Sequence, residues 1–105
     1  MTGYIKELQD VIRKLHGVDA THAASVPVLE KHGGMTVWEG VVEVFKLHNH
    51  PKAEFVYAWS HETDDPNTPR RYVTVLHSGK INTPVAAVRA AIAQEYKDLG
   101  TAEES

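Results

Sequence analysis

The alternation of apolar and polar positions predicts a helix at the start of the chain. Apolar residues recur at the spacing of one helix face, at Ile5, Leu8, Ile12 and Leu15. Basic residues crowd the positions just before Gly17, which is typical of the last turn of a helix and its capping glycine. The pattern therefore predicts a first helix over residues 3–16.

A second apolar stripe predicts a helix near the end of the chain. Thr83 and Pro84 are typical of a helix start, because proline at the first helical position loses no hydrogen bond. The stripe that follows consists of Val85, Val88, Ile92, Tyr96 and Leu99. We expect this helix over residues 83–99, ending before Gly100, with a frayed tail at residues 101–105.

Between the two helices, runs rich in valine and aromatic residues alternate with turn-forming residues, which is typical of strands. The predicted strands cover residues 25–32, 36–48, 53–61 and 70–77. Pro27 cannot donate to a strand ladder and places the first strand at a sheet edge, while Gly33 and Gly34 predict a hairpin. The 105 residues suffice for one domain. We expect an α+β fold, α-β-β-β-β-α, with a four-stranded antiparallel meander and both helices packed on one face.

The strand register decides which side chains share a face of this sheet. Symmetric turns place Val44 opposite Val56 and Ala58 opposite Val73, so that one face is aliphatic and suits both helices. The other face is then uncovered and aromatic, and such patches mark an interface or a ligand groove. The predicted interface or ligand residues are Val41, Phe55, Tyr57, Trp59 and Tyr72. Three interpretations of this aromatic face are open: it is the contact surface of a homodimer, it is a ligand groove, or it is covered by other parts of the same monomer.

Composition and charge narrow the function classes. The chain has no cysteine, which excludes disulfides, thiolate zinc sites and iron–sulfur clusters. The formal net charge of −3 argues against a protein that gains affinity by neutralising phosphates. The N-terminal segment lacks the apolar core of a signal peptide, and no segment is apolar enough to span a bilayer. We therefore expect a cytoplasmic protein with no membrane partner.

Histidine is the residue type that suggests chemistry, with seven in the chain. The predicted register brings His48, His50 and His77 together with Glu54 at one end of the sheet. Imidazoles and a carboxylate at such an edge suit zinc or another divalent cation, or an acid–base pair near neutral pH. The competing interpretation is that these are exposed surface histidines. Apart from this zinc, no cofactor is predicted.

Two resemblances accompany these patterns. The stretches Val37-Trp38-Glu39-Gly40 and Tyr57-Ala58-Trp59, with His50-Pro51 between them, resemble small bacterial proteins of unknown function. The order of elements also resembles a double-stranded-RNA-binding domain, in which the second helix begins with a lysine cluster that grips phosphates. Here only Lys80 precedes that helix and Arg89 lies within it, so we do not expect nucleic-acid binding.

The function predicted from the sequence is that of a small cytoplasmic interaction or ligand-binding module, homodimeric and using the aromatic sheet face, rather than an enzyme. A small-molecule or protein partner fits this prediction. The alternative is a small metal-binding protein or enzyme with its histidine and glutamate site at one end of the sheet. No motif in the sequence defines a reaction, a substrate or a partner.

Overall fold

The structure is a computed structural model that describes residues 2–67 and 69–104, with side chains described for residues 3–67 and 69–94. Its elements are α1 (Thr2–His16), β1 (Ala20–His32), β2 (Met35–Leu47), β3 (Phe55–Glu62), β4 (Arg70–Leu76) and α2 (Pro84–Glu104). The strands form one antiparallel sheet in the order β1-β2-β3-β4. The predicted α-β-β-β-β-α meander is confirmed. No helix among the described residues is long and apolar enough to cross a membrane.

Two element ends differ clearly from the prediction. Strand β1 begins at Ala20 rather than Ser25, and α2 continues to Glu104 rather than ending at residue 99. Gly17 takes a φ of 72° and ends α1, whereas Gly100 lies within α2. Residues 101–104 therefore belong to α2 rather than following it, their fraying stays a prediction, and Ser105 lies outside the described residues. The predicted stripe positions Tyr96 and Leu99 lie outside the described side chains.

The hairpin between β1 and β2 forms as predicted. Gly33 and Gly34 take φ values of 60° and 81°, and His32 pairs with Met35 across them. Two successive positive φ values are typical of the type I′ turn, whose twist matches that of the flanking strands. Pro27 lies in β1 at the edge of the sheet, as predicted, and edge strands are where proline is tolerated within a sheet.

Strand β3 is displaced by one residue from its predicted register with both neighbours. Val44 pairs with Tyr57 rather than with Val56, and Ala58 pairs with Thr74 rather than with Val73. The pairing of β2 with β3 is centred between His50 and Pro51 rather than on His50, and the Leu47 N–H donates to the Glu54 carbonyl across this connection. Since side chains alternate along a strand, this displacement moves every β3 side chain to the opposite face.

The two helices consequently cover opposite faces of the sheet. Helix α1 places Leu8 and Ile12 against a first buried cluster that contains Phe45, Leu47, Val56 and Ala58. Helix α2 places Ala87 and Val88 against a second cluster that contains Val28, Val42, Tyr57 and Trp59. Neighbouring β3 residues belong to different clusters, and neighbouring residues of a strand point to opposite faces. The prediction that both helices pack on one face is therefore wrong.

Two leucines of α1 provide a matched test of this packing. Leu8 is fully buried, whereas Leu15, which the stripe also predicted to be buried, is 61% exposed. We expect Leu8→Ala to lower the free energy of unfolding by about 2–5 kcal/mol, because it leaves a cavity under α1. Leu15→Ala should change it by less than about 0.5 kcal/mol. Urea denaturation of both variants measures the difference, and equal losses would contradict this placement of α1.

Candidate functional site

The uncovered aromatic face predicted from the sequence is not formed. Tyr57 and Trp59 are only 4% and 3% exposed, because α2 covers them. Tyr72 packs with the α1 cluster on the opposite face, and Val41 on β2 is 46% exposed. Phe55 is half-buried at the end of β3. The five predicted interface residues are thus divided between the two faces by the register of β3.

The predicted metal-binding set is not assembled either. His48 is hydrogen-bonded to the Thr21 hydroxyl, with 2.6 Å between Nε2 and Oγ1, and it is exposed beside β1. Within the described part of the chain, no group of three or more His, Asp or Glu side chains is placed to hold a metal ion. The structure therefore does not bring His48, His50, His77 and Glu54 together as a set of metal ligands.

Three of these four residues nevertheless share a cleft. It has a volume of about 700 Å³ and lies between the β2–β3 connection and the β4–α2 connection. His50, Glu54 and His77 line it, and His48 does not. The remaining lining residues are Pro51, Lys52, Ala53, Phe55, Ser78, Gly79 and Asn82. We refer to this feature as the His50–His77 cleft.

Backbone hydrogen bonds fix the His50 ring. Its Nδ1 accepts the backbone N–H groups of Lys52 at 3.0 Å and Ala53 at 3.1 Å. A ring nitrogen that accepts hydrogen bonds carries no proton, so the proton of this imidazole is on Nε2. The turn thereby presents His50 as an oriented N–H donor.

A buried tyrosine fixes the His77 ring. The Tyr57 hydroxyl and Nδ1 of His77 are hydrogen-bonded at 2.8 Å, and the Phe55 ring lies edge-on to His77 with 6.1 Å between centroids. Burial raises the pKa of the Tyr57 hydroxyl above its ordinary value, so the hydroxyl keeps its proton at neutral pH. Because Nδ1 is engaged with Tyr57, Nε2 is the nitrogen of His77 that a ligand in the cleft can reach.

A second polar cluster lies on the α1 side of the sheet. Among the described side chains, Glu43 is the one charged group that is buried, at 6% exposure. Its Oε1 accepts hydrogen bonds from Nε2 of His22 at 2.9 Å and from the Ser25 hydroxyl. A bulge at Ala23 allows this arrangement, because the extra residue turns His22 and Ser25 to the same face.

This second cluster does not have the geometry of a catalytic triad. Both Ser25 and Glu43 approach Nε2 of His22, at 3.3 and 2.9 Å, whereas a triad uses the two ring nitrogens separately. We assign it a structural role in holding β1 to β2. Sequence reasoning missed it, because a bulge that realigns two side chains leaves no pattern in the residues around Ala23.

His16, at the end of α1 and near the His50–His77 cleft, makes the stability of the folded state depend on pH. Its Nε2 lies 3.0 Å from the Thr74 hydroxyl, and its ring centroid lies 6.2 Å from that of His50. Burial lowers the pKa of His16 below its ordinary value, and the Coulomb interaction with the His50 ring lowers it further. The folded state therefore favours the neutral ring, and this contribution to stability is present above pH 6.5 and is lost as the pH falls.

We expect the variant His16→Gln to lose less stability than the wild type between pH 7.5 and pH 5. Glutamine keeps a polar atom near the position of Nε2 for Thr74 but does not titrate. Urea denaturation at the two pH values measures the difference, and proton NMR should place the His16 midpoint below 6.5. A midpoint at or above 6.5, or identical pH dependence in both proteins, would contradict the burial of this ring.

Comparison with known proteins does not assign a family to this fold. No protein-family model, curated protein or solved structure matches the chain. The resemblances to small bacterial proteins and to a double-stranded-RNA-binding domain therefore stay predictions. The geometry of the His50–His77 cleft is the basis for a functional proposal.

Proposed function

We propose that the protein is a cytoplasmic ligand-binding module and that the His50–His77 cleft receives a small molecule with a carboxylate or phosphate group. The observation that carries this proposal is the orientation of two imidazoles in one cleft. Nδ1 of His50 is held by two backbone amides and Nδ1 of His77 by Tyr57. Both rings therefore leave Nε2 for a ligand, and their orientation costs no entropy at the moment of binding.

The side chains of the cleft favour an anionic ligand. Lys52 and Asn82 line it together with the two histidines and supply further N–H donors. Glu54 is the one carboxylate among the lining residues. Donors that surround an anion on several sides form charge-assisted hydrogen bonds, which are shorter and stronger than neutral ones.

A binding role fits this geometry better than a catalytic one. A general base acts on a nucleophile or a substrate proton within hydrogen-bond reach. The side-chain partner of His77 is a phenol whose pKa is raised, and such a hydroxyl is a poor nucleophile at neutral pH. The partners of His50 Nδ1 are backbone amides, which have no acid–base role.

Titration of labelled protein with citrate, used as a polyanionic probe, tests the cleft. We expect saturable changes in the backbone amide NMR signals of residues 52–54 and 77–82. The variant His77→Asn keeps a polar atom near the position of Nδ1 for Tyr57 but removes Nε2, so it should weaken citrate binding about tenfold.

The matched control for this titration is His48→Ala, which removes an exposed histidine that does not line the cleft. Its affinity for citrate should equal that of the wild type. Two results would overturn the proposal: no saturable response of the wild type, or equal losses of affinity in the His48 and His77 variants.

Self-association is a second candidate function, and exposed aliphatic side chains favour it. Leu29 on β1 is 51% exposed and Val41 on β2 is 46% exposed. The pairs Leu29–Glu39 and Pro27–Val41 place both side chains on the sheet face opposite α2. We propose this strip, in place of the buried Tyr57 and Trp59, as the contact surface of a homodimer.

Light scattering on a sizing column tests this dimer. We expect a mass near twice the chain mass of 11.7 kDa for the wild type and a monomer for Val41→Lys, because the lysine places a charge in the contact. Leu15→Lys is the control, since Leu15 is a similarly exposed side chain on α1. A monomeric wild type, or a dimer that survives Val41→Lys, would exclude this strip as the contact.

A further inference from the structure

We propose that the backbone of β2 at Glu39 and Val41 binds an extended, basic peptide segment of a partner protein, which adds a strand to the sheet. The observation behind this proposal is that β2 and β3 separate. Their ladder ends at the pair Glu43–Ala58, although β2 begins at Met35 and β3 also continues past this point. We refer to the gap between residues 35–42 of β2 and residues 59–62 of β3 as the β2–β3 opening.

The alternation of hydrogen bonds along β2 identifies the backbone groups that face this opening. The Leu47 N–H donates to the Glu54 carbonyl, and in an antiparallel pair every second residue bonds to the same neighbouring strand. Counting back from Leu47 along β2, the residues that face the opening are Val41 and Glu39. Neither has a ladder partner on that side among the described residues. Their N–H and C=O groups therefore form an open strand edge, which is a template for pairing with another chain.

Space for an added strand lies beside this edge. A pocket of about 340 Å³ separates the two strands, and its lining residues are Trp38 and Glu39 on β2, Trp59 and His61 on β3, and Val88, Ala91 and Ile92 on α2. Glu39 and Val41 are both exposed. The pocket shares no lining residue with the His50–His77 cleft, so this proposal and the proposed function are tested separately.

The outer edge of the sheet differs from this inner edge. Strand β1 contains Pro27, Lys31 and the bulge at Ala23, and such features discourage an edge strand from pairing with another chain. Residues 36–43 of β2 contain neither proline nor lysine. The edge of β2 is therefore the one of the two that is suited to strand addition.

The place of the edge inside the opening favours a single extended segment over a second copy of this chain. Strand β2 of a second copy would bring its own β1 and its own β3–β4 hairpin with it. Because β3 runs along the other side of the opening, two such folded sheets would collide there. A segment without folded neighbours avoids this collision, and peptides that add a strand to a sheet edge are bound in this way.

Charge favours a basic segment. Glu39 is exposed and makes no ion pair within the described part of the chain. A residue of the added strand directly opposite Glu39 lies on the same face, and opposite charges in such a pair stabilise it. Glu62 adds a carboxylate across the opening, because Arg70 beside it donates to Ser60 instead. We therefore expect lysine or arginine opposite Glu39.

Titration of labelled protein with the peptide acetyl-Lys-Val-Lys-Val-Lys-amide tests this edge. We expect saturable shifts of the backbone amide NMR signals of Glu39 and Val41. Methylation of the backbone nitrogen of the central lysine removes an N–H that faces β2 and should weaken binding about tenfold. Methylation of a valine nitrogen is the matched control, since that N–H points away from β2, and it should leave the affinity unchanged.

A charge reversal tests the partner chemistry. Wild-type protein should prefer this peptide to acetyl-Glu-Val-Glu-Val-Glu-amide, and Glu39→Lys should reverse the preference. Asp10→Lys, an equal change of charge at an exposed position of α1, should keep the wild-type preference. No saturable response, equal effects of the two methylations, or an unchanged preference in Glu39→Lys would overturn the proposal. Slower hydrogen exchange of the Glu39 and Val41 amides at higher protein concentration would overturn it too, because a second copy would then occupy the edge.

Discussion

Strand β3 directs Val56 and Ala58 toward α1 and Tyr57 and Trp59 toward α2, and this alternation is the constraint on which the rest of the structure depends. Each helix buries an apolar stripe, and each needs apolar side chains beneath it. In the observed register, Phe45 belongs to the buried cluster beneath α1. Val42 belongs to the buried cluster beneath α2. Both faces of the sheet are therefore apolar enough to receive one helix each.

The same alternation positions the groups that we propose to bind ligands. Tyr57 is buried under α2, and from there its hydroxyl reaches His77 at the end of the sheet. Trp59, two residues further along the same face, forms the wall against which Trp38 packs. A strand that is buried on both faces therefore serves as the fixed support of the His50–His77 cleft. Such support keeps polar groups oriented without a loss of entropy on binding.

Polar groups inside the sheet show how the edge strand is held in place. Glu43 faces the same side as the α1 cluster, and burial of a carboxylate is costly unless hydrogen bonds compensate. His22 and Ser25 provide two such bonds, which the bulge at Ala23 makes geometrically possible. A slip of β1 against β2 would break both bonds and leave the carboxylate unpaired. This cluster therefore stabilises one register of an edge strand that contains Pro27 and has a neighbour on one side alone.

The sequence by itself determined the order of elements, the meander, the glycine hairpin and the edge position of β1, because periodicity, turn residues and proline act locally. It also placed His50, Glu54 and His77 at one end of the sheet, where they line one cleft. Tertiary structure alone decided which face each β3 side chain occupies, since a one-residue displacement changes no local pattern and inverts every face. For the same reason Tyr57 and Trp59, predicted to be exposed, became core residues beneath α2. The pairing of Glu43 with His22 and the position of His61 beside two tryptophans likewise depend on contacts between residues far apart in the chain.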